Sequence, residues 1–249
     1  GKIKIGPIKF LGDGSLGAWS AGLNEPYSDK PDTCGCIYWN KEELSSIAKE
    51  IVDHDFDLTI HAIGDAAVEN FLDGCISVKD HSQIMNERIF EKYKEVDAIG
   101  LVQPMYIHSD WSIADSRVGD RMKTSYCFGS MLKDGIRLAA GSDLPIESVN
   151  PLEGMQVNIT RKDLNGQPEG GWYPDEKLSR LEAVKLHTIY GAYVSKDEDS
   201  IGSLEVGKRA NFVVLSGDVF TSPEDEIKNI KVLNTYIDAD CKYSYEEEN

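Results

Sequence analysis

Short apolar runs alternate with helix-period segments along most of this chain, and that rhythm restricts its fold more than any other feature. Ile3 to Leu11 is β-rich, and a long loop punctuated by Gly and Pro follows, to Trp39. Asn40-Lys41-Glu42-Glu43 places an N-cap residue three positions before a glutamate, a capping box opening a helix through about His54. Leu58 to Ile63 reads as a short buried strand stopped by Gly64-Asp65, with a helix over about 66–75 behind it. A helix over about 86–96 leads into a strand at 98–103, and a helix over 126–134 precedes a strand at 136–140. Asn150-Pro151 is an N-cap and N1 pair for another helix, and Ser179-Arg180-Leu181-Glu182 is a second capping box. Strand, loop, helix, strand in this order indicates parallel βα units.

The polar residues Asp13, His61, Gln103 and Asp143 all fall at or just past the C-terminal ends of strands. In a (β/α)8 barrel that rim carries the active site, and an open doubly wound sheet also places ligands there. A closed barrel needs eight strands. Four strands are convincing here, so at most about half a barrel is expected. From Ile201 the chain turns into Gly-rich turns and β-rich runs at 211–215 and 232–237, which suggests a small separate β-unit.

The net charge of −17 argues against nucleic-acid binding, which wants clustered Lys and Arg. No apolar run approaches the roughly 20 residues that cross a bilayer, and no export signal opens the chain. The five cysteines (Cys34, Cys36, Cys75, Cys127, Cys241) are odd in number and scattered in spacing. They are expected as reduced thiols, consistent with a cytoplasmic setting.

Several residues carry chemistry, each beside a plainer reading. Gly12-Asp13-Gly14-Ser15-Leu16-Gly17 fits GxGxxG after a strand, but Gly22, Pro26 and Pro31 deny it the helix a dinucleotide site requires. His61 ends an apolar strand, where it is either a satisfied core residue or a ligand at the strand mouth. Asp143, in Gly141-Ser142-Asp143-Leu144-Pro145, either caps a turn or serves a hydrolytic metal site as ligand and proton acceptor. Lys9, between Ile8 and Phe10, either faces solvent or is an N-carboxylated lysine bridging metals; an inward lysine is costly unless paired or modified. His81, His54, His108 and His187 are ambiguous on residue type alone.

Taken in order, a set of passages resembles the amidohydrolase superfamily, in its amidohydrolase-3 branch of N-substituted formamide deformylase-like enzymes. They are Ile8 to Gly17, Pro26-Tyr27-Ser28-Asp29, Ile60 to Asp65, Val102-Gln103-Pro104, Arg117-Val118-Gly119, Gly141 to Pro145, Thr160-Arg161-Lys162 and Gly202 to Leu215. The resemblance implies an α/β fold: part of a (β/α)8 TIM-type barrel, about strands four to eight, over residues 1–200. Residues 201–249 would be part of a composite β-sandwich. It makes His61 and His81 metal ligands, Asp143 a ligand and proton shuttle, and Lys9 the strand-four position that often carries a bridging carboxylated lysine. Gln103 and Arg161 become candidate substrate contacts, and a divalent metal, zinc foremost, the cofactor.

Three departures from the family pattern stand out. The chain has no His-x-His, the family's first-strand metal motif. The strand-six passage is reduced to Asp80-His81-Ser82-Gln83 directly after Ile76-Ser77-Val78-Lys79. Asn211 stands where an aspartate is usual. The expectation is therefore the C-terminal half of a metal-dependent hydrolase of non-peptide C–N bonds, with a small amide-type substrate. It would have negligible activity alone and would self-associate or be completed by an N-terminal half. The alternative is a non-catalytic remnant or interaction module that keeps the fold.

Overall fold

A computed structural model describes residues 5–74, 79–96 and 98–246. The strands and α-helices run β1 (Ile8–Leu11), α1 (Lys41–Asp53), β2 (Leu58–His61), α2 (Asp65–Gly74), β3 (Lys79–Asp80), α3 (Glu87–Glu95), β4 (Ile99–Val102), α4 (Met105–Val118), α5 (Phe128–Lys133) and β5 (Arg137–Ala140). They continue with α6 (Pro151–Thr160), α7 (Arg180–Leu186), α8 (Ile189–Val194), β6 (Phe212–Leu215), β7 (Val232–Ile237) and β8 (Asp240–Ser244). The fold is α/β. Its strands form a parallel pair β1-β2, a three-stranded sheet β3-β4-β5 and a three-stranded sheet β6-β7-β8, with no closed barrel among the described residues. No described helix is long and apolar enough to cross a membrane.

The chain divides into two compact units, Gly1–Val102 with Ser109–Leu138, and Gln103–His108 with Ala139–Asn249. In the first, β1 and β2 run parallel with Leu11 opposite His61, and β3 runs parallel to β4 with Asp80 opposite Gly100. Helix α1 starts where the capping box sets it: Asn40 Oδ1 accepts from Glu43 N, and the Glu43 carboxylate accepts from Asn40 N. Its apolar stripe, Leu44, Ala48 and Ile51, is buried, as are Leu58 and Ile60 of β2 and Val68, Phe71 and Leu72 of α2. Those spacings are the helical and strand periods that make a one-sided apolar surface.

The second unit packs Leu152, Met155 and Ile159, one stripe of α6, against Ala183, Val219, Ile227 and Ile230. Asn150 Oδ1 caps α6 at Leu152 N, and the Ser179–Glu182 box opens α7. At its end β7 and β8 form a hairpin turning through Asp238 and Ala239, both with positive φ (52° and 64°). That pair gives a two-residue turn of the type whose twist matches paired strands. Asn211 Oδ1 accepts from Asp238 N and steadies this turn, the local role of the residue that departs from the family pattern.

One difference from the sequence reading has a physical cause. The stretch from Met105 to Thr124, to which the sequence reading assigns no regular element, is helical over Met105–Val118, where Ile107, Ala114 and Val118 are buried at helical spacing. Strand β3 is only two residues long; Ile76, Ser77 and Val78, which precede it in the passage read as clipped, lie outside the described residues. Cys34, Cys36, Cys127 and Cys241 are free thiols; Cys75 lies outside the described residues.

Candidate metal centre

The parallel pairing of β1 and β2 brings their C-terminal ends together, β1 running on into Gly12-Asp13-Gly14 and β2 into Ala62-Ile63-Gly64. Asp13, two residues past β1, is buried to 2% exposure. Its carboxylate accepts from three backbone amides: Gly22 N at 2.9 Å, Ile63 N at 3.0 Å and Gly64 N at 2.8 Å. It therefore ties the loop after β1, the segment at residue 22 and the loop after β2 into one knot. Burial raises its pKa to about 6, against the pull of those amides and of the nearby His61. Gly64 is required by the same knot, because a Cβ there would overlap the Gly22 backbone. The Gly22 carbonyl in turn accepts from Ala66 N and Ala67 N in the first turn of α2.

His61 closes β2. Its Nε2 donates to the Gly14 carbonyl at 2.8 Å, which places the proton on that nitrogen, and it lies 3.7 Å from Asp13 Oδ1. His81 follows β3 and is buried. The two imidazoles meet edge to face, centroids 4.6 Å apart at 72°. The loop that presents His81 is fixed on several sides. Ile84 N donates to Ile63 O at 2.9 Å, Tyr126 N donates to Gln83 O at 2.9 Å, and Gln83 Nε2 and the Tyr126 hydroxyl both donate to Asp110 Oδ2.

Two imidazoles at this separation are suitable donor chemistry for a divalent ion such as zinc. No group of three or more His, Cys, Asp or Glu able to hold a metal occurs among the described residues. In the first unit His61 and His81 offer two imidazoles, and His61 Nε2 is engaged by the Gly14 carbonyl. Lys9 is exposed on β1, in register with Thr59.

The remaining candidates belong to the second unit. Asp143 follows β5 with positive φ (53°), its carbonyl accepting from Ile146 N in a turn and its Oδ2 accepting from the Tyr106 hydroxyl at 2.8 Å. Gln103 is buried just past β4. Arg161 caps the C-terminus of α6 in left-handed geometry and is buried. Its Nε donates to the Trp172 carbonyl at 2.9 Å, with the guanidinium 5.3 Å from the Trp172 ring. Sequence reasoning assigned no role to Asp13. Its partners are backbone amides up to 51 positions away, which side-chain identity does not reveal.

The profile of the Amidohydrolase family matches residues 1–241. The putative amidohydrolase YtcJ of Bacillus subtilis is 32% identical over 97% of this chain and 47% of its own length. The N-substituted formamide deformylase of Arthrobacter pascens is 27% identical over 84% of this chain and 40% of its own. Among solved structures, an uncharacterized metal-dependent hydrolase from Pyrococcus horikoshii superposes with a TM-score of 0.80 at 33% identity, over 88% of this chain and 46% of that one. The chain spans less than half the length of each of these relatives. It belongs to the Amidohydrolase family.

Proposed function

We propose that this chain is part of a metal-dependent hydrolase of a non-peptide C–N bond, in an amide or formamide, and that His61 and His81 are two of the ion's ligands. The supporting observation is the 4.6 Å edge-to-face approach of those rings at the ends of β2, which pairs in parallel with β1, and β3, which pairs in parallel with β4. Metal-dependent hydrolase and formamide deformylase are what two of the relatives are called. A bound divalent ion, zinc by its affinity for imidazole, supplies Lewis acidity toward a carbonyl oxygen and acidifies water.

The chain's own residues do the rest. Asp13 holds the loops around His61 in place through three backbone amides. Asp143 accepts a proton from the attacking water, its carboxylate oriented by the Tyr106 hydroxyl on Oδ2. Gln103, buried past β4, contacts the substrate amide. The exposure of Lys9 on β1 supports the solvent-facing reading of that residue over a metal-bridging one.

The fold we infer is a partial (β/α)8 barrel, about strands four to eight, with 201–249 part of a β-sandwich. Exposed Ile8 and Leu11 on β1 support pairing of that strand with a further strand from another segment or copy. The assay is hydrolysis of N-substituted formamides with added zinc, by this chain alone and together with an N-terminal half from a relative. Turnover only in the combination, lost in Asp143→Asn, is the expected result. Folded combined halves that bind zinc and hydrolyse no amide would instead favour a non-catalytic module.

A further inference from the structure

Independently of the hydrolase reading, we propose that a groove between the start of α1 and one face of α2, in the first unit, binds a neutral sugar ring. The groove has a volume of about 630 Å³, within the range that holds small ligands. None of the residues given a part in hydrolysis lines it.

Two aromatic side chains supply most of its apolar surface, with Ile37 and Ala66 beside them. Tyr38 is 52% exposed. Trp39 is fixed in place: its Nε1 donates to the Leu11 carbonyl at 2.8 Å, and its ring meets Phe10 edge to face at 5.6 Å. A ring fixed before the ligand arrives costs little to order on binding.

Three asparagines select the ligand. Each is anchored through one atom of its amide and leaves the other without a partner among the described residues. Asn24 Nδ2 donates to Asp65 Oδ2 at 3.1 Å, and Asn70 Nδ2 to the Trp39 carbonyl at 2.6 Å, so both Oδ1 atoms remain as acceptors. Asn40 Oδ1 accepts from Glu43 N at 2.9 Å, so its Nδ2 remains as a donor. Asn24 and Asn40 are exposed and Asn70 is half-buried, within reach of a ligand. A hydroxyl both donates and accepts, so hydroxyls around an apolar C–H face suit these amides and the aromatic surface together.

Charge narrows the choice further. The other lining groups are Glu43, Glu69 and Asp73, with no Lys or Arg, which disfavours a phosphorylated sugar. A cation is served no better. Arg88 pairs with Glu69 at 3.2 Å and with Asp73 at 3.1 Å, and Lys92 also pairs with Asp73.

Glucose, galactose and mannose, each titrated into the full chain by calorimetry and by ligand-observed NMR, test the proposal. At least one is expected to saturate in the millimolar range, with its 6-phosphate and choline each about fivefold weaker or worse. Tyr38→Ala should weaken that sugar about fivefold, whereas Tyr38→Phe keeps the ring and should bind it within about twofold. Asn24→Ala should cost about fivefold through one lost hydrogen bond. EDTA and His61→Ala should change nothing, which separates this groove from the His61–His81 pair. No saturation by any of the three sugars, equal or tighter binding of the 6-phosphate or of choline, undiminished binding in Tyr38→Ala, or EDTA-sensitive binding would each overturn the proposal. Should Asn24→Ala fail to fold, the two Tyr38 variants and the charged probes decide it.

Discussion

The imidazoles of His61 and His81 stand edge to face, 4.6 Å between centroids, at the ends of strands β2 and β3. Neither ring is held by chance. Asp13 fixes the loop that follows His61, and the Ile63–Ile84 backbone bond couples that loop to the one following His81. Two loops held this way resist small displacements of the rings they carry.

Asp13→Ala should therefore damage both stability and metal affinity. It removes the acceptor for three buried amides, and leaving such donors unsatisfied costs about 1–3 kcal/mol each before relaxation. A loss of roughly 3 kcal/mol is expected in urea unfolding, with Asp13→Asn losing less because its amide oxygen still accepts. Equal stability of Asp13→Ala and the native chain would contradict the knot described here.

Arg117→Ala should loosen the long loop between β1 and α1. The guanidinium donates to the Leu16 carbonyl and stacks 4.0 Å from the Trp19 ring, while Trp19 Nε1 donates to Asp29 at 3.0 Å. One buried charge-assisted bond and one cation–π contact together suggest a cost of about 2–3 kcal/mol. Limited proteolysis should show new cleavage between Ala18 and Trp39, and unchanged fragments would count against the role.

Acid should destabilise the chain through His187. Burial depresses its folded-state pKa from 6.5 to about 4, so between those values the unfolded chain binds the extra proton. His187's contribution is thus fully present above about pH 6.5 and shrinks as pH falls toward 4, by on the order of 3 kcal/mol in total. Urea midpoints measured from pH 7 to 4.5 should fall less steeply in His187→Leu than in the native chain. Parallel slopes would contradict the assignment.

Much of this organisation was legible in the sequence, where local chemistry decides the outcome. The Asn40–Glu43 and Ser179–Glu182 boxes start α1 and α7 as their spacing requires, and the family emerges from ordered passages. What escaped depends on distant partners or unusual turn residues. Helix α4 was hidden because its apolar stripe is broken by Ser109, Asp110 and Ser112. The β7–β8 hairpin was hidden because Asp238-Ala239 lacks the glycine that usually marks such a turn. Asp13 was legible as a polar residue at a strand end, but not its amide partners at 22, 63 and 64, which only the folded chain brings around it.

Zinc K-edge absorption on the zinc-loaded chain tests the central claim most directly, because imidazole scattering counts histidine ligands. The account predicts two histidines in the native chain and one in each of His61→Ala and His81→Ala. A spectrum unchanged by either substitution, or one with no imidazole scattering, would contradict it.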